Sequence, residues 1–142
     1  MLKDSFKRIL RQKEAFAATF YQRLRENYPH LQRFFENVDI QRQEVSLVAT
    51  LTMLVKGIEQ GEDLRPVFRK LGYLHNKRSI RAEHYPDFGN TLMETMAQFD
   101  PEWTQAHREA WAAVLDQCVR GMMESYDPSA TIYRVQVRTR RT

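Results

Sequence analysis

Four histidines are the side chains in this sequence that most readily bind a metal or move a proton at neutral pH. They lie at positions 30, 75, 84 and 107, and none of the spacings places two ligands one turn apart on a helix, as many zinc sites require. With Cys118 as the single cysteine, a thiolate zinc cluster is also excluded. We therefore expect no metal site made of protein ligands alone, and we interpret His30, His84 and His107 as surface or loop residues.

His75 differs from the other three because it lies on an apolar stripe. Phe68 precedes it by seven residues and Leu71 by four, so the three side chains share one helix face and the imidazole is predicted to point inward. A buried histidine with a satisfied hydrogen bond is the commoner arrangement. A second polar side chain placed opposite His75 favours a different role.

Gln43 is that second side chain. It stands 18 residues before Gly61, and His75 stands 14 residues after Gly61. If the helices on either side of Gly61 form an antiparallel hairpin, a rise of ~1.5 Å per residue places the two side chains about 27 and 21 Å from the turn, within about one helical turn of the same height. An imidazole and an amide that face each other between apolar walls suit a flat apolar ligand with a central metal.

The helices that must hold these side chains are delimited by proline and glycine. An apolar stripe over residues 16–28 ends before Pro29, because proline disfavours helical geometry in the residue before it. A short segment, 30–35, follows. Residues 41–59 are so rich in apolar side chains that we expect a central helix covered on most sides, which Gly61 then ends.

The remaining elements are also predicted as helices. Asp63 is expected to be the N-cap of the helix that carries His75, and the apolar stripe of that helix extends to Leu74. A loop of basic residues separates it from another stripe over 85–99. The pair Asp100-Pro101 is typical of an N-cap followed by the first helical position, and the last helix is expected to run to about Ser125. The pattern is all-α.

Length and composition indicate one ordinary globular domain. The chain has 142 residues, 42% of them hydrophobic and 28% charged, which is typical of a single folded unit. No apolar run approaches the ~18 residues that cross a bilayer, and the N-terminus lacks the apolar core of a secretory signal. One cysteine suits a reducing compartment, so we expect a cytoplasmic protein.

The positive charge of the chain is confined to its C-terminus. Lysines and arginines exceed acidic residues by four, 22 against 18, and residues 131–142 contain four arginines and no acid. The body is therefore close to neutral, which disfavours nucleic-acid binding through a basic folded face. We predict a folded domain over residues 1–126 and a short basic tail over 127–142.

Several short segments resemble a known family. The segments are ATFYQRL with Tyr21, RFFEN with Phe35, QRQEVSLV with Gln43, LGYLH with His75 and EHYPDFG with Tyr85. Their order and spacing, over about residues 6–124, are similar to those of globins, in particular the single-domain bacterial globins of the flavohaemoglobin-like branch. The resemblance implies a three-over-three globin fold around haem b, with 1–126 as the globin domain.

The resemblance also implies a role for each site residue. His75 would be the ligand of the haem iron, and Phe35 the aromatic ring that wedges the haem. Tyr21 and Gln43 would form the distal polar pair that carries any catalysis, with Gln43 also touching the haem. The other haem contacts implied are apolar or aromatic: Leu47, Leu71, Ile80 and Tyr85.

The function implied is the binding of oxygen, nitric oxide and carbon monoxide, and, with electrons from an external reductase or reductant, the conversion of nitric oxide to nitrate. Tyr21 offers an O–H and Gln43 an NH₂ group, and two donors aimed at a bound gas predict slow oxygen release. Two alternatives stay open. In the first, the chain is a gas or redox sensor that acts through its basic tail. In the second, it binds an open-chain bilin, because an apolar slot with one imidazole is not selective for haem. The oligomeric state also stays open.

Overall fold

The computed structural model describes residues 1–124, and every regular element in that range is helical, which confirms the all-α prediction for it. The predicted boundary at residue 126 and the tail lie outside the described residues. No helix within 1–124 has the length and apolar character to span a membrane. The helices are α1 (Leu2–Leu10), α2 (Lys13–Asn27), α3 (Ile40–Glu59), α4 (Arg65–Lys77), α5 (Tyr85–Phe99) and α6 (Gln105–Met123), with 3₁₀ helices at Pro29–Phe35 and Ala82–His84.

Proline and aspartate set the helix ends between α2 and α3. As predicted, α2 ends just before Pro29, which starts the first 3₁₀ helix. Asp39 then caps α3, because its carboxylate accepts hydrogen bonds from the main-chain N–H groups of Gln41 (3.1 Å) and Arg42 (3.3 Å). A cap of this kind stabilises a helix start by ~1 kcal/mol, so the first turn of α3 is held in place.

Consecutive helices α3 and α4 do not pack on each other along their length. Instead α3 packs on α1 and α2, and α4 packs on α6. Two glycines allow the close approach of α4 to α6, because a Cβ on Gly72 would overlap the main chain of Met122 and a Cβ on Gly121 would overlap the ring of Phe68. The hairpin around Gly61 is therefore splayed, and residues of both its helices line a cavity.

The prediction that α3 is covered on most sides is wrong. Val45 is 70% exposed and Met53 47% exposed, while the buried residues of α3 are Leu51, Leu54, Val55 and Gly57. Among the described residues α3 packs mainly on α1 and α2, and part of its apolar surface, including Leu47, lines the cavity. The apolar content of α3 thus serves a core face and a cavity wall, and isolated exposed apolar residues remain, as in most proteins.

The start and the stripe of α4 differ from the prediction in detail. Leu64 rather than Asp63 is the N-cap, but the carboxylate of Asp63 still accepts a hydrogen bond from the main-chain N–H of Arg65 (3.1 Å). Leu74 is 46% exposed, so its place on the buried stripe was wrong. It lies about 120° around the helix from Phe68, at the edge of the face that packs inward.

The prediction that Asp100 starts the last helix is also wrong. Thr104 is the N-cap of α6, and its hydroxyl accepts a hydrogen bond from the N–H of His107 (3.4 Å). Asp100 is 2% exposed, and its carboxylate accepts hydrogen bonds from Ser5 and Arg8 of α1. Its partners lie more than 90 positions away in the chain, so a local sequence pattern does not reveal them.

Candidate functional site

A cavity of about 210 Å³ lies between α3 and α4, and side chains of α2, α5 and α6 complete its walls. Most of its lining is apolar. Every side chain predicted for the site lines this one cavity: Tyr21, Phe35, Gln43, Leu47, Leu71, His75, Ile80 and Tyr85. Gln43 and His75 thus line the same cavity from α3 and α4, and the roles of the eight residues stay predictions.

His75 lines the cavity from α4 as a neutral imidazole. Burial and the nearby positive charge of Arg78 lower the pKa of His75 to about 4, so the ring carries no charge near neutral pH. The hydroxyl oxygen of Tyr85 lies 3.5 Å from Nδ1, close enough to orient the ring. In the tautomer with its proton on Nδ1, this N–H donates to the hydroxyl oxygen and Nε2 carries the lone pair. Within residues 1–124 Nε2 has no hydrogen-bond partner, so its lone pair is available to a ligand.

The C-terminus of α4 fixes the cavity wall beside His75. The N–H of Ile80 donates to the carbonyl of His75 (3.0 Å), and the N–H of Ser79 donates to the carbonyl of Asn76 (3.0 Å). These two bonds form a Schellman motif. Ser79 has φ 66°, a left-handed conformation that glycine adopts more easily. The motif turns the chain so that Ile80, 6% exposed, lines the cavity.

Tyr21 approaches the cavity from α2. Its hydroxyl donates to the main-chain carbonyl of Gln43 (3.3 Å), and its ring meets that of Phe35 edge to face at 5.6 Å. Burial raises the pKa of Tyr21 to about 12; Arg78 opposes the rise and Glu44 adds to it. Tyr21 therefore keeps its proton, and its long hydrogen bond to a neutral carbonyl leaves the O–H able to turn to a stronger acceptor.

Gln43 and Arg78 meet across the cavity. With its amide oxygen turned toward Arg78, Gln43 accepts hydrogen bonds from Nη1 (3.1 Å) and Nη2 (3.0 Å). The sequence reasoning missed Arg78, although it follows His75 by three residues and so shares its helix face. It also missed Ser46 and Thr50, which line the cavity and follow Gln43 at helical spacing. Their helical spacing from His75 and from Gln43 was the signal in the sequence that could have identified these three residues.

The donors in the cavity limit the kind of metal centre that fits there. Within residues 1–124 no group of three or more His, Cys, Asp or Glu side chains is arranged to hold a metal ion. Cys118 lines the cavity, and burial raises the pKa of its thiol to about 12, so the thiol keeps its proton near neutral pH when no metal is bound. A metal would take one nitrogen from His75 and bring its other ligands with it. A metal inside a flat macrocycle fits this donor set and the apolar walls.

Comparison with known families identifies the fold that builds this cavity. The sequence profile of the Globin family matches residues 18–122, a span that contains all the predicted site residues. The chain is a globin. The family assignment covers the helices from α2 to nearly the end of α6, so the cavity between α3 and α4 belongs to the matched domain.

The sequence of this globin is similar to those of flavohemoproteins. It is 28% identical over 116 residues to the flavohemoprotein of Bacillus cereus, covering 78% of this chain and 29% of the relative. It is 31% identical over 90 residues to the flavohemoprotein of Candida albicans, covering 62% of this chain and 23% of the relative. The chain thus spans less than a third of the length of these relatives.

A solved structure confirms the predicted globin fold. An engineered carbene transferase from Rhodothermus marinus, assigned by name to the nitric oxide dioxygenases, superposes with a TM-score of 0.76 at 23% identity. The superposition covers 95% of this chain and 92% of that chain. At this identity the similarity establishes the fold and leaves the activity to other arguments.

The other three histidines of the globin hold local structure. His84 is 4% exposed, so its interpretation as a surface residue was wrong. Its Nδ1 accepts a hydrogen bond from the N–H of Arg81 (2.9 Å), and its ring packs against Phe34 at 5.0 Å, which buries it in the turn before α5. His30 is exposed, as predicted, whereas His107 is half-buried in the first turn of α6.

Proposed function

We propose that this globin binds haem b between α3 and α4 and, through it, oxygen, nitric oxide and carbon monoxide. The observation that carries the proposal is the neutral imidazole of His75, which lines an apolar cavity opposite Tyr21 and Gln43. The names of the flavohemoprotein relatives support the choice of haem. Under this proposal the globin domain is 1–126, and the basic segment 127–142 is a tail.

The side chains that would hold haem divide into one metal ligand and a set of apolar and aromatic contacts. His75 would supply the nitrogen that holds the iron, because its imidazole is neutral and Tyr85 faces Nδ1 rather than Nε2. The apolar and aromatic contacts to haem would come from Phe35, Leu47, Leu71, Ile80 and Tyr85. Bound haem supplies an iron atom with an open coordination position for a diatomic gas.

The distal residues would stabilise that gas by hydrogen bonds. Tyr21 stays protonated because burial raises its pKa to about 12, and its O–H can leave the carbonyl of Gln43 for a more negative acceptor. The amide of Gln43 offers a second donor. The apolar walls keep water away, so each hydrogen bond is stronger than it would be in water. Two donors in a dry cavity favour slow release of oxygen.

We further propose that the globin converts nitric oxide to nitrate when an external partner supplies electrons. The overall reaction, NO + O₂ + e⁻ → NO₃⁻, takes one electron in each cycle. The side chains that line the cavity do not supply electrons repeatedly, so a reductase or a small reductant must do so. The tight hold on oxygen by Tyr21 and Gln43 suits this reaction, because it keeps oxygen in place until nitric oxide arrives. We place the reaction in the cytoplasm, on the ground that the chain uses a single cysteine.

The absorption spectrum of the purified protein tests the proposal. We expect a sharp Soret band that shifts when the reduced protein is exposed to carbon monoxide. A broad red absorption without a Soret band would instead indicate a bilin, and a protein without visible absorption, even after addition of hemin, would overturn the proposal.

A sensor that acts through the tail is tested separately. Proteolysis of the tail in the presence and absence of carbon monoxide distinguishes it from simple gas binding. Equal rates of cleavage in both states would exclude a signal transmitted through residues 127–142, whereas different rates would favour the sensor.

A further inference from the structure

Arg78 is the one permanently charged side chain among the cavity-lining residues of the described chain. It follows the last residue of α4 and lies three residues after His75, on the same helix face. It is also exposed to solvent, so it borders both the cavity and the surface. The positive charge therefore lies at the mouth of a mostly apolar cavity.

The guanidinium of Arg78 has a neutral partner. Both of its terminal nitrogens donate to the amide oxygen of Gln43, at 3.0 and 3.1 Å. No carboxylate within residues 1–124 forms an ion pair with Arg78. By contrast Arg8 and Arg65 each pair with an aspartate. An amide is a weaker acceptor for a guanidinium than a carboxylate is, so a carboxylate that enters the mouth can displace Gln43.

We propose that Arg78 binds a carboxylate at the edge of the ligand in the cavity, in exchange for the amide of Gln43, and so makes the cavity select acidic macrocycles over neutral ones. Haem has two propionate carboxylates on one edge of a flat apolar ring, which matches a single guanidinium at the mouth of an apolar slot. The fork of arginine nitrogens pairs with a carboxylate through two parallel hydrogen bonds. The inference rests on the proposed function, because it assumes that a tetrapyrrole occupies the cavity.

The test compares hemin with hemin dimethyl ester, whose two carboxylates are blocked as neutral esters. Wild type, Arg78→Gln and Lys77→Gln are each loaded with either compound, and the rate of its transfer to excess apomyoglobin is followed by absorbance. Lys77 is the matched control, because it is the neighbouring exposed cation, does not line the cavity and lies over the ring of Tyr73 at 5.3 Å. Its replacement removes the same unit of charge.

We expect Arg78→Gln to lose hemin about tenfold faster than wild type, the effect of one charge-assisted hydrogen-bonded pair. Loss of the dimethyl ester should change less than about twofold, because it has no carboxylate for Arg78. Lys77→Gln should leave both rates within about twofold of wild type, because Lys77 does not line the cavity. Arg78→Lys, which keeps the charge but not the fork, should lie between Arg78→Gln and wild type. Far-UV circular dichroism checks that each variant is folded.

Equal acceleration of hemin and ester loss in Arg78→Gln, or no acceleration of either, would overturn the inference while leaving haem binding intact. A wild-type protein that takes up neither compound would overturn the proposed function, and the inference with it. The two failures are therefore distinguishable in one set of measurements.

Discussion

Two groups of polar side chains in this globin differ in how fully their hydrogen-bonding capacity is used. The first, which we call the Asp100 cluster, consists of Ser5, Arg8, Asp100 and Trp111. Ser5 donates to Asp100 (2.6 Å), Arg8 donates to both carboxylate oxygens, and Trp111 donates to the hydroxyl of Ser5 (3.1 Å). The main-chain N–H of Glu102 adds a further bond to Asp100 (2.9 Å). These bonds tie α1 to the start of the α5–α6 connection.

The second group, His75, Tyr21 and Gln43 in the cavity, keeps part of its capacity unused. Nε2 of His75 has no partner within residues 1–124, and the O–H of Tyr21 makes one long bond to a carbonyl. Buried polar groups with complete sets of partners stabilise a fold, whereas groups with spare donors or lone pairs are available to a ligand. The comparison predicts that changes in the Asp100 cluster alter stability and that changes in the cavity alter ligand binding.

The largest effect on stability is expected from Asp100→Ala. Its side chain is fully buried, and its loss leaves the guanidinium of Arg8, 11% exposed, without its ion-pair partner. Removal of one member of a buried pair costs about 3 kcal/mol or more, which urea denaturation measures. Glu102→Ala is the control, because its carboxylate is 72% exposed and 3.8 Å from Arg8, and it should cost less than about 0.5 kcal/mol. Equal losses of stability in the two variants would contradict the conclusion that the hydrogen-bonding capacity of the Asp100 cluster is fully used.

The ionisation of Asp100 should make the stability of the protein depend on pH. Burial alone would raise the pKa of this carboxyl, but the hydrogen bonds from Arg8, Ser5 and Glu102 outweigh it and lower the pKa from 3.8 to about 2. A pKa lower in the folded state means that the contribution is complete above pH 3.8 and is lost as the pH falls toward 2. This contribution of Asp100 to the free energy of unfolding amounts to about 2 kcal/mol. Acid denaturation should show this loss, and Asp100→Asn should flatten that part of the curve; an unchanged slope would exclude the assigned pKa.

Tyr21→Phe should change gas binding far more than stability. The variant removes the phenolic donor, worth ~1.5 kcal/mol or more to a charged acceptor, so oxygen should dissociate from the haem-loaded ferrous protein at least about tenfold faster. Stopped-flow displacement of oxygen by carbon monoxide measures the rate. Tyr73→Phe, at a side chain 56% exposed, is the control and should leave the rate unchanged. A Tyr21→Phe rate equal to wild type would remove Tyr21 from the distal site.

The smallest change is expected in the free energy of unfolding, from a substitution just after the end of α4. Ser79 has φ 66°, so Ser79→Gly should raise the free energy of unfolding by about 0.5–1 kcal/mol through relief of left-handed strain. Ser79→Ala keeps the strain and serves as the control. Destabilisation by glycine would show that the serine side chain, rather than the backbone conformation, holds the turn beside His75.

Spacing along the chain was sufficient to predict most of the helices, because helical periodicity is a local pattern. Helical periodicity placed His75 and Leu71 on one face, and the rise per residue on either side of Gly61 placed Gln43 opposite them. The structure brings these side chains into one cavity. The resemblance to globins added Tyr21, Phe35, Leu47, Ile80 and Tyr85 as site residues.

The features that the sequence did not reveal depend on contacts between distant segments. Asp100 has the pattern of a helix cap, yet its partners come from α1. His84 has no local sign of burial, yet it packs against Phe34. Arg78 follows His75 at helical spacing, but its hydrogen bonds to Gln43 across the cavity are visible only in the structure. A one-dimensional pattern carries no information on such partners.

The central claim is that Nε2 of His75 is the nitrogen available to a metal in this cavity. Its most direct test is the absorption spectrum of hemin-loaded His75→Gly with and without added imidazole, beside His30→Gly as the control for an exposed histidine. We predict that His75→Gly loses the wild-type Soret band and its shift with carbon monoxide, that imidazole restores both, and that His30→Gly is unchanged. A His75→Gly spectrum identical to wild type without imidazole would contradict the claim.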